Sequence, residues 1–355
     1  MKRRITVILS LTATSTLLVV SLHWLGKNEI QHHDFDRSFL EFYPDVESQW
    51  ALQSPKHYIA GLYGNYLYIA DIFGRTNLLS VNCEKADDPI DTITIPISPE
   101  DSHIIVDSGS IYVTDLNRFD IFRFKITGRN SFNDGERVFE STFFVEAVPV
   151  RGEVFAIRTL NQSKEYVLAL KSSVKTSPTY SPGILEKQID GLFCTDGMLH
   201  FNAVLKQLIY VYYYRNEFIC MDSSLHLRYR GKTIDGVERV QIRVAEIKSD
   251  QAMALASPPR IVNKKSHSSG DWLFIHSVVK ATNESVSTFQ KNDVIDMYNL
   301  HNGRYAGSFY LPRINGEKLR DFKVYGNRLV AIHGRVLTTF DLRRIVGALH
   351  LTRPL

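Results

Sequence analysis

The sequence predicts an all-β fold, a six-bladed β-propeller carried behind an N-terminal transmembrane signal-anchor helix. Three observations predict it. A turn–strand–turn–strand unit recurs six times. Aromatic residues reach 11% of the chain, seventeen Tyr and twenty Phe among them. Between the units no run keeps helical periodicity. Aromatic and β-branched side chains suit the pleated, half-buried surface of a strand, and repeats of this length suit one four-stranded sheet per unit.

The units begin at Gly64 (GNYLYIADIFGRTNLLSVN), Gly109 (GSIYVTDLNRFDIFRFKI), Gly152 (GEVFAIRTLNQSKEYVLALK), Lys206 (KQLIYVYYYRNEFICMD), Gly270 (GDWLFIHSVV, resuming at Asp293) and Gly326 (GNRLVAIHGRVLTTFDL). The fourth has Lys-Gln where the others have a glycine turn. An apolar strand precedes most units, as in SHIIVDSG, TFFVEAVPVRG and LRDFKVYG, and another follows, as in DTITIPI and RYAGSFYLP. Four short strands per unit without intervening helices exclude βαβ folds. Radial stacking leaves only short, protected edges. The outer strand of the sixth sheet is expected from residues 345–351 or from residues 38–44, the latter joining the two ends of the chain.

The expected organisation is a cytoplasmic tip at 1–4, a membrane span at 5–25, a linker at 26–46, the propeller at 47–345, and a tail or closing strand at 346–355. Lys2, Arg3 and Arg4 precede Ile5 to Leu25, which hold no Asp, Glu, Lys or Arg. A hydrocarbon core of about 30 Å needs about 20 helical residues. Trp24 sits where an interfacial aromatic belongs, and no small-x-small cleavage site follows, which favours an uncleaved anchor over a signal peptide. The positive-inside rule then puts the N-terminus in the cytoplasm and the propeller in the periplasm. The formal charge is +4. Three of those charges are at the tip, so nucleic acid is not an expected partner.

Cys83, Cys194 and Cys220 form no C-x-x-C pair, and each lies in an apolar run. Buried free thiols are expected, with a Cys194–Cys220 disulfide as the alternative. Tyr210, Tyr212 and Tyr214 should face one side of a strand and Tyr213 the other, for packing between blades.

The stretch LIYVYYYRNEFICMDSSLHLRYRGKTID, with AEIKSDQAMALASPPRIVN, GDWLFI, DVIDMYNLHNGRYAGSFYLP and RDFKVYGNRLVAI, resembles a group of exported Bacteroidetes propeller proteins of the TolB-like or NHL-like type. The resemblance covers about residues 190–342. It implies the fold and an envelope location, and it implies no activity.

Propeller ligands sit at one channel mouth, so the loops between the second and third strands supply the site candidates: Asp71, Arg75, Asp115, Arg118, Arg158, His276, His333 and Arg335, with Asn202. The cations among them suggest a ring that attracts an acidic group. Their plain alternative is turn chemistry with solvated charges. The insertion after His276 reads as a lid or a disordered excursion. No G-x-S-x-G, H-E-x-x-H, Walker or dinucleotide motif is present, and no cofactor or metal is assigned.

The leading functional expectation is a non-enzymatic module binding an envelope protein or peptide. The alternatives are a lactonase-like hydrolase or a dehydrogenase with a channel metal or cofactor, and a sensor or small-ligand binder. Acidic oxygens converging at one channel end would mark the enzyme. A channel plugged by apolar side chains, with an exposed apolar patch on one face, would mark the interaction module.

Overall fold

The structure is a computed structural model that describes residues 11–12, 14–21, 34–73, 77–97, 99, 101–247 and 252–351. Residues 14–21 are helical, and among the described residues no helix is long and apolar enough to cross a membrane. Much of the expected 5–25 span lies outside the described residues.

Short strands with alternating or fully apolar faces need cover on both sides, and the chain provides it by stacking sheets. β1 (Asp45–Ala51) comes first. β2 (His57–Tyr63), β3 (Tyr66–Asp71), β4 (Asn77–Asn82) and β5 (Asp91–Thr94) form the first antiparallel group. β6 (Ser102–Asp107), β7 (Ser110–Asp115), β8 (Asp120–Gly128) and, past the short β9 (Ser131–Phe132), β10 (Glu136–Phe139) form the second. The third is β11 (Glu146–Arg151), β12 (Val154–Leu160), β13 (Tyr166–Ser172) and β14 (Thr179–Ser181). The fourth is β15 (Gly197–Asn202), β16 (Gln207–Tyr212), β17 (Glu217–Asp222) and β18 (Leu227–Lys232). A separate hairpin, β19 (Val244–Ile247) and β20 (Ala252–Leu255), precedes the fifth group. That group holds β21 (Asn263–Ser269), β22 (Trp272–Ser277), β23 (Asn292–Asn299) and β24 (Tyr305–Pro312). β25 (Leu319–Tyr325), β26 (Arg328–His333) and β27 (Val336–Asp341) take β1 as their fourth strand.

The apolar clusters show how the groups are arranged. Ile104 and Val113 of the second group pack on Tyr68 and Leu78 of the first. Tyr112 and Phe139 of the second pack on Phe155 of the third. Leu168 meets Tyr210 and Tyr212, Val211 meets Leu273, and Phe309 meets Phe340. Ile332 and Leu337 of the last group then pack on Ile59 and Ile69 of the first. Each group covers the next and the last covers the first, which is a ring. The fold is all-β and propeller-like. Each fully buried aliphatic or aromatic side chain in these seams contributes about 1.5–3 kcal/mol.

The closing strand is neither 345–351 nor 38–44. Residues 45–51 pair with β27, from Asp45 opposite Asp341 to Ala51 opposite Val336. Residues 343–351 are instead a helix that buries Ile345 and Leu349 beside the fifth and sixth groups. Residues 38–40 dock on β24, where Leu40 N–H donates to Ser308 O at 2.8 Å.

The linker expected to reach residue 46 is therefore attached from Phe35 onward. Arg37 is fully buried, with Nε 2.8 Å from Asp296 and Nη1 2.5 Å from Glu284. It also donates to Val279 O and Ser277 Oγ. Glu284 lies in the insertion after β22. The insertion carries a short helix at Val286–Lys291, and its Glu284 holds the incoming chain at Arg37.

All three cysteines are free and buried. In the fourth unit Lys206 adopts the left-handed φ of 53° that glycines take in the other turns. Asn202 Oδ1 supports that turn by accepting from Val204 and Leu205 N–H.

β2 and β6 touch directly, pairing in parallel at Gly61 and Val106. A Cβ on Gly61 would lie 1.9 Å from Val106 O. Gly61→Ala should therefore destabilise the protein by about 2–4 kcal/mol, read as a fall in the urea midpoint. An unchanged midpoint would show that the two inner strands need not meet.

Candidate functional site

Antiparallel strands fix two ends for the ring. Turns between the first and second strands of each group lie at one end. Turns between the second and third, and the connections between groups, lie at the other. The first strands β2, β6, β11, β15, β21 and β25 surround the axis, and they enclose a cavity of about 560 Å³. That volume lies within the usual range of small-molecule sites. Its lining includes Ile72, Leu116 and Tyr213 from the second-to-third turns and Asp101 from a connection at one mouth, and it reaches Asp107 and Tyr325 at the opposite strand ends.

The cavity lining is half apolar, and its polar half comes mainly from the inner strands. Tyr58 comes from β2, His103 from β6, Glu146 from β11, His200 from β15, Lys265 and His267 from β21, and Asp321, Lys323 and Tyr325 from β25. Two of its carboxylates, Asp321 and Glu146, already have partners. Asp321 accepts Ile59 N–H at 2.9 Å and lies 3.6 Å from Lys265 Nζ. Glu146 accepts Leu199 N–H at 3.0 Å and lies 3.6 Å from Arg158 Nε. Asp101 precedes β6 and Asp107 ends it, so those two sit at opposite ends of the strand.

The donors are less committed. Lys323 Nζ reaches one carbonyl, Ala60 O, at 3.2 Å. His267 Nδ1 accepts Val324 N–H at 3.1 Å. A neutral imidazole that accepts at Nδ1 carries its proton on Nε2, so His267 is a fixed donor. His200 Nε2 lies 2.6 Å from Ser266 Oγ. Tyr58 stacks on His103 with ring centroids 4.7 Å apart.

Protein encloses the three histidines even where their rings are open to the cavity. Enclosure, reinforced by Lys323 and Lys265, pushes His103 down to about 4 and His200 down to about 3. Burial, with Lys323 and His200, also lowers His267 well below the usual histidine range. Burial lowers the Lys323 ammonium, and Asp321 opposes that. At neutral pH the site therefore holds three neutral imidazoles beside two lysines. Metal ligation fits poorly: the lysines repel a cation, and among the described residues no three His, Cys, Asp or Glu stand close enough to hold one.

The residues nominated from sequence do not converge. Arg158 alone among them lines the cavity, bound to Asp196 at 2.5 Å. Asp71 accepts Phe73 N–H, and Asp115 accepts Asn117 and Arg118 N–H, which is turn chemistry. Arg118 and Arg335 are exposed, and Arg75 lies outside the described residues. Asn202 sits in a first-to-second turn, at the end away from the mouth.

His276 and His333 are buried between the fifth and sixth groups. His276 Nε2 is 3.3 Å from Asp293 Oδ1, and His333 has no hydrogen-bond partner at either nitrogen. Burial lowers His276 and pushes His333 down to about 4. With Arg335, His333 borders a shallower depression that also takes in Lys56 and Arg320. Of the aromatic run, Tyr210 and Tyr212 fill the seam between groups, and Tyr213 reaches the cavity mouth.

Histidines kept neutral in the fold but free to protonate when unfolded set a pH dependence. The unfolded chain binds more protons below the ordinary histidine value of about 6.5, so stability falls with pH from there toward about 3–4. Thermal unfolding between pH 7.5 and 4.5 should show that fall. His200→Gln should flatten it by at most about 1.4 kcal/mol per pH unit. A slope identical to the parent would show that His200 is already charged.

No family model matches the chain. No curated protein matches it. Several solved structures are similar in backbone path. A member of the duf4221 family from Bacteroides vulgatus shares 12% identity at a TM-score of 0.49, over 84% of this chain and 97% of that one. BamB from Moraxella catarrhalis shares 12% at 0.42, over 84% and 98%. A streptogramin B lyase shares 9% at 0.46, over 86% and 99%. The ring arrangement rests on the strand pairings and seams described above.

Proposed function

We propose that the protein is a six-bladed, ligand-binding propeller whose axial cavity takes a small organic molecule bearing an anionic group. The six four-stranded groups among the described residues support the blade count. One observation carries the binding reading. Asp321 and Glu146 each accept a backbone N–H and stand beside Lys265 and Arg158, while Lys323 and the His267 Nε2 proton face the cavity with few partners. A donor-rich enclosure complements an acceptor-rich ligand, and charge-assisted hydrogen bonds are the strong ones. The axis lacks the apolar plug expected of a pure interaction module. Its acids do not converge as the hydrolase reading requires.

Calorimetry on the full-length chain with acetate, citrate, inorganic phosphate and glucose tests this. The anions should bind and glucose should not. Lys323→Met should weaken the anions about 10- to 100-fold, the value of one hydrogen bond to a charged group. Equal binding of glucose, or an indifferent Lys323→Met variant, would sink the reading.

We further propose that residues 5–25 hold the propeller at the outer face of a membrane. The support is the basic tip at Lys2–Arg4 before an uncharged run long enough to span. Alkaline carbonate should leave the full chain in the membrane pellet and release a chain lacking 5–25. Release of both would end this proposal.

A further inference from the structure

The cavity is electrostatically uneven, and its unevenness points to a class of ligand. His200 on β15 and His267 on β21 stand with ring centroids 6.0 Å apart. Lys265 shares β21 with His267, and Lys323 comes from β25. Ser266 Oγ touches His200 Nε2. The donors thus come from three inner strands and approach from different directions. A planar carboxylate can use two or three donors in one plane, whereas a tetrahedral oxyanion accepts from all sides.

The groups facing the histidine pair are known from every strand around it. β25 presents Lys323 and Tyr325, with Asp321 paired to Lys265. β6 presents His103 and, at its end, Asp107. β2 presents Tyr58, whose hydroxyl takes Ile104 N–H at 2.7 Å. Glu146 and Arg158 belong to the third group, and Arg158 is paired with both Glu146 and Asp196. The charges acting on His200 are the two lysines, and those acting on His267 are Lys323 and His200.

Resting on the binding reading above, we propose that His200 and His267 form the oxyanion end of the cavity, and that a phosphate or sulfate group seated there binds together with one proton taken up by the pair. The balance is simple. A dianion enters with one proton from solution, His200 takes that proton and becomes imidazolium with an N–H for the anion, and His267 donates the Nε2 proton it already carries. In the empty cavity enclosure by protein keeps both rings neutral, and repulsion from Lys323 adds to it. The anion offsets that repulsion and adds its own attraction, so the two binding events favour each other.

Sulfate is the useful probe, because it stays dianionic across the range and any pH dependence comes from the protein. Sodium sulfate is titrated into the full-length chain by calorimetry between pH 5.5 and 7.5 at fixed ionic strength. With one proton linked, the affinity should fall about tenfold for each pH unit gained. His200→Gln/His267→Gln should bind weakly and without that slope, whereas the exposed His301→Gln should keep it. The ¹⁵N resonances of the unaltered protein should move toward imidazolium on adding sulfate at pH 6.5, a readout that does not depend on the double variant folding. Sulfate binding with no pH slope and no nitrogen shift overturns this inference and leaves the anion-binding function standing. Failure of sulfate, phosphate and acetate alike to bind at any pH overturns both.

Discussion

The first strand of each four-stranded group turns its outer edge toward the axis, and that edge is unpaired except where β2 meets β6 at Gly61 and Val106. Its N–H groups cannot all reach water in a narrow enclosure, and unpaired buried groups are costly. The neighbouring sheet supplies the partners. Asp321 takes Ile59 N–H, Tyr58 takes Ile104 N–H, Glu146 takes Leu199 N–H and His267 takes Val324 N–H. Asp293 does the same for Leu319. Polar side chains therefore line the axis because the backbone there requires them. Side chains committed to the backbone are also held in place, which is the condition for a preorganised binding site.

This dual role explains the electrostatics. Asp321 and Glu146 inside the ring are occupied with amides and cations, while Lys323 and His267 bond to few partners. The same enclosure that strengthens these hydrogen bonds disfavours charge on imidazole. The result is a chamber that holds neutral imidazoles beside two lysines.

The recurring units and their glycine turns were legible in sequence because strand alternation and turn chemistry are local. The clamp on Arg37 was not. HHDFDRSF reads as a polar tether, and its partners Glu284 and Asp296 stand about 250 residues away. The closing strand was missed for a similar reason: DVESQWA is mostly exposed, so Trp50 alone marks a buried face. The cavity was partly visible. SHIIVDSG and LRDFKVYG were recognisable as strands, yet His103, Asp321 and Lys323 within them carry the site. A polar residue placed inside an otherwise apolar inner strand was the available signal. Reading the loops instead found Asp71 and Asp115, which only shape their own turns.

The closing pair sets an order of assembly. β1 lies near the start of the chain and β27 near its end, so the ring cannot shut until almost the whole chain has been synthesised. Until then β1 and β27 each present an unpaired edge, and such edges recruit other chains. Arg37 lies eight residues before β1 and binds the fifth sheet, which precedes β27 in synthesis. Docking there first would park β1 beside the gap it must fill, shortening a long-range search to a local one. The buried ion triad would then be a staging point in biogenesis as much as a part of the finished ring.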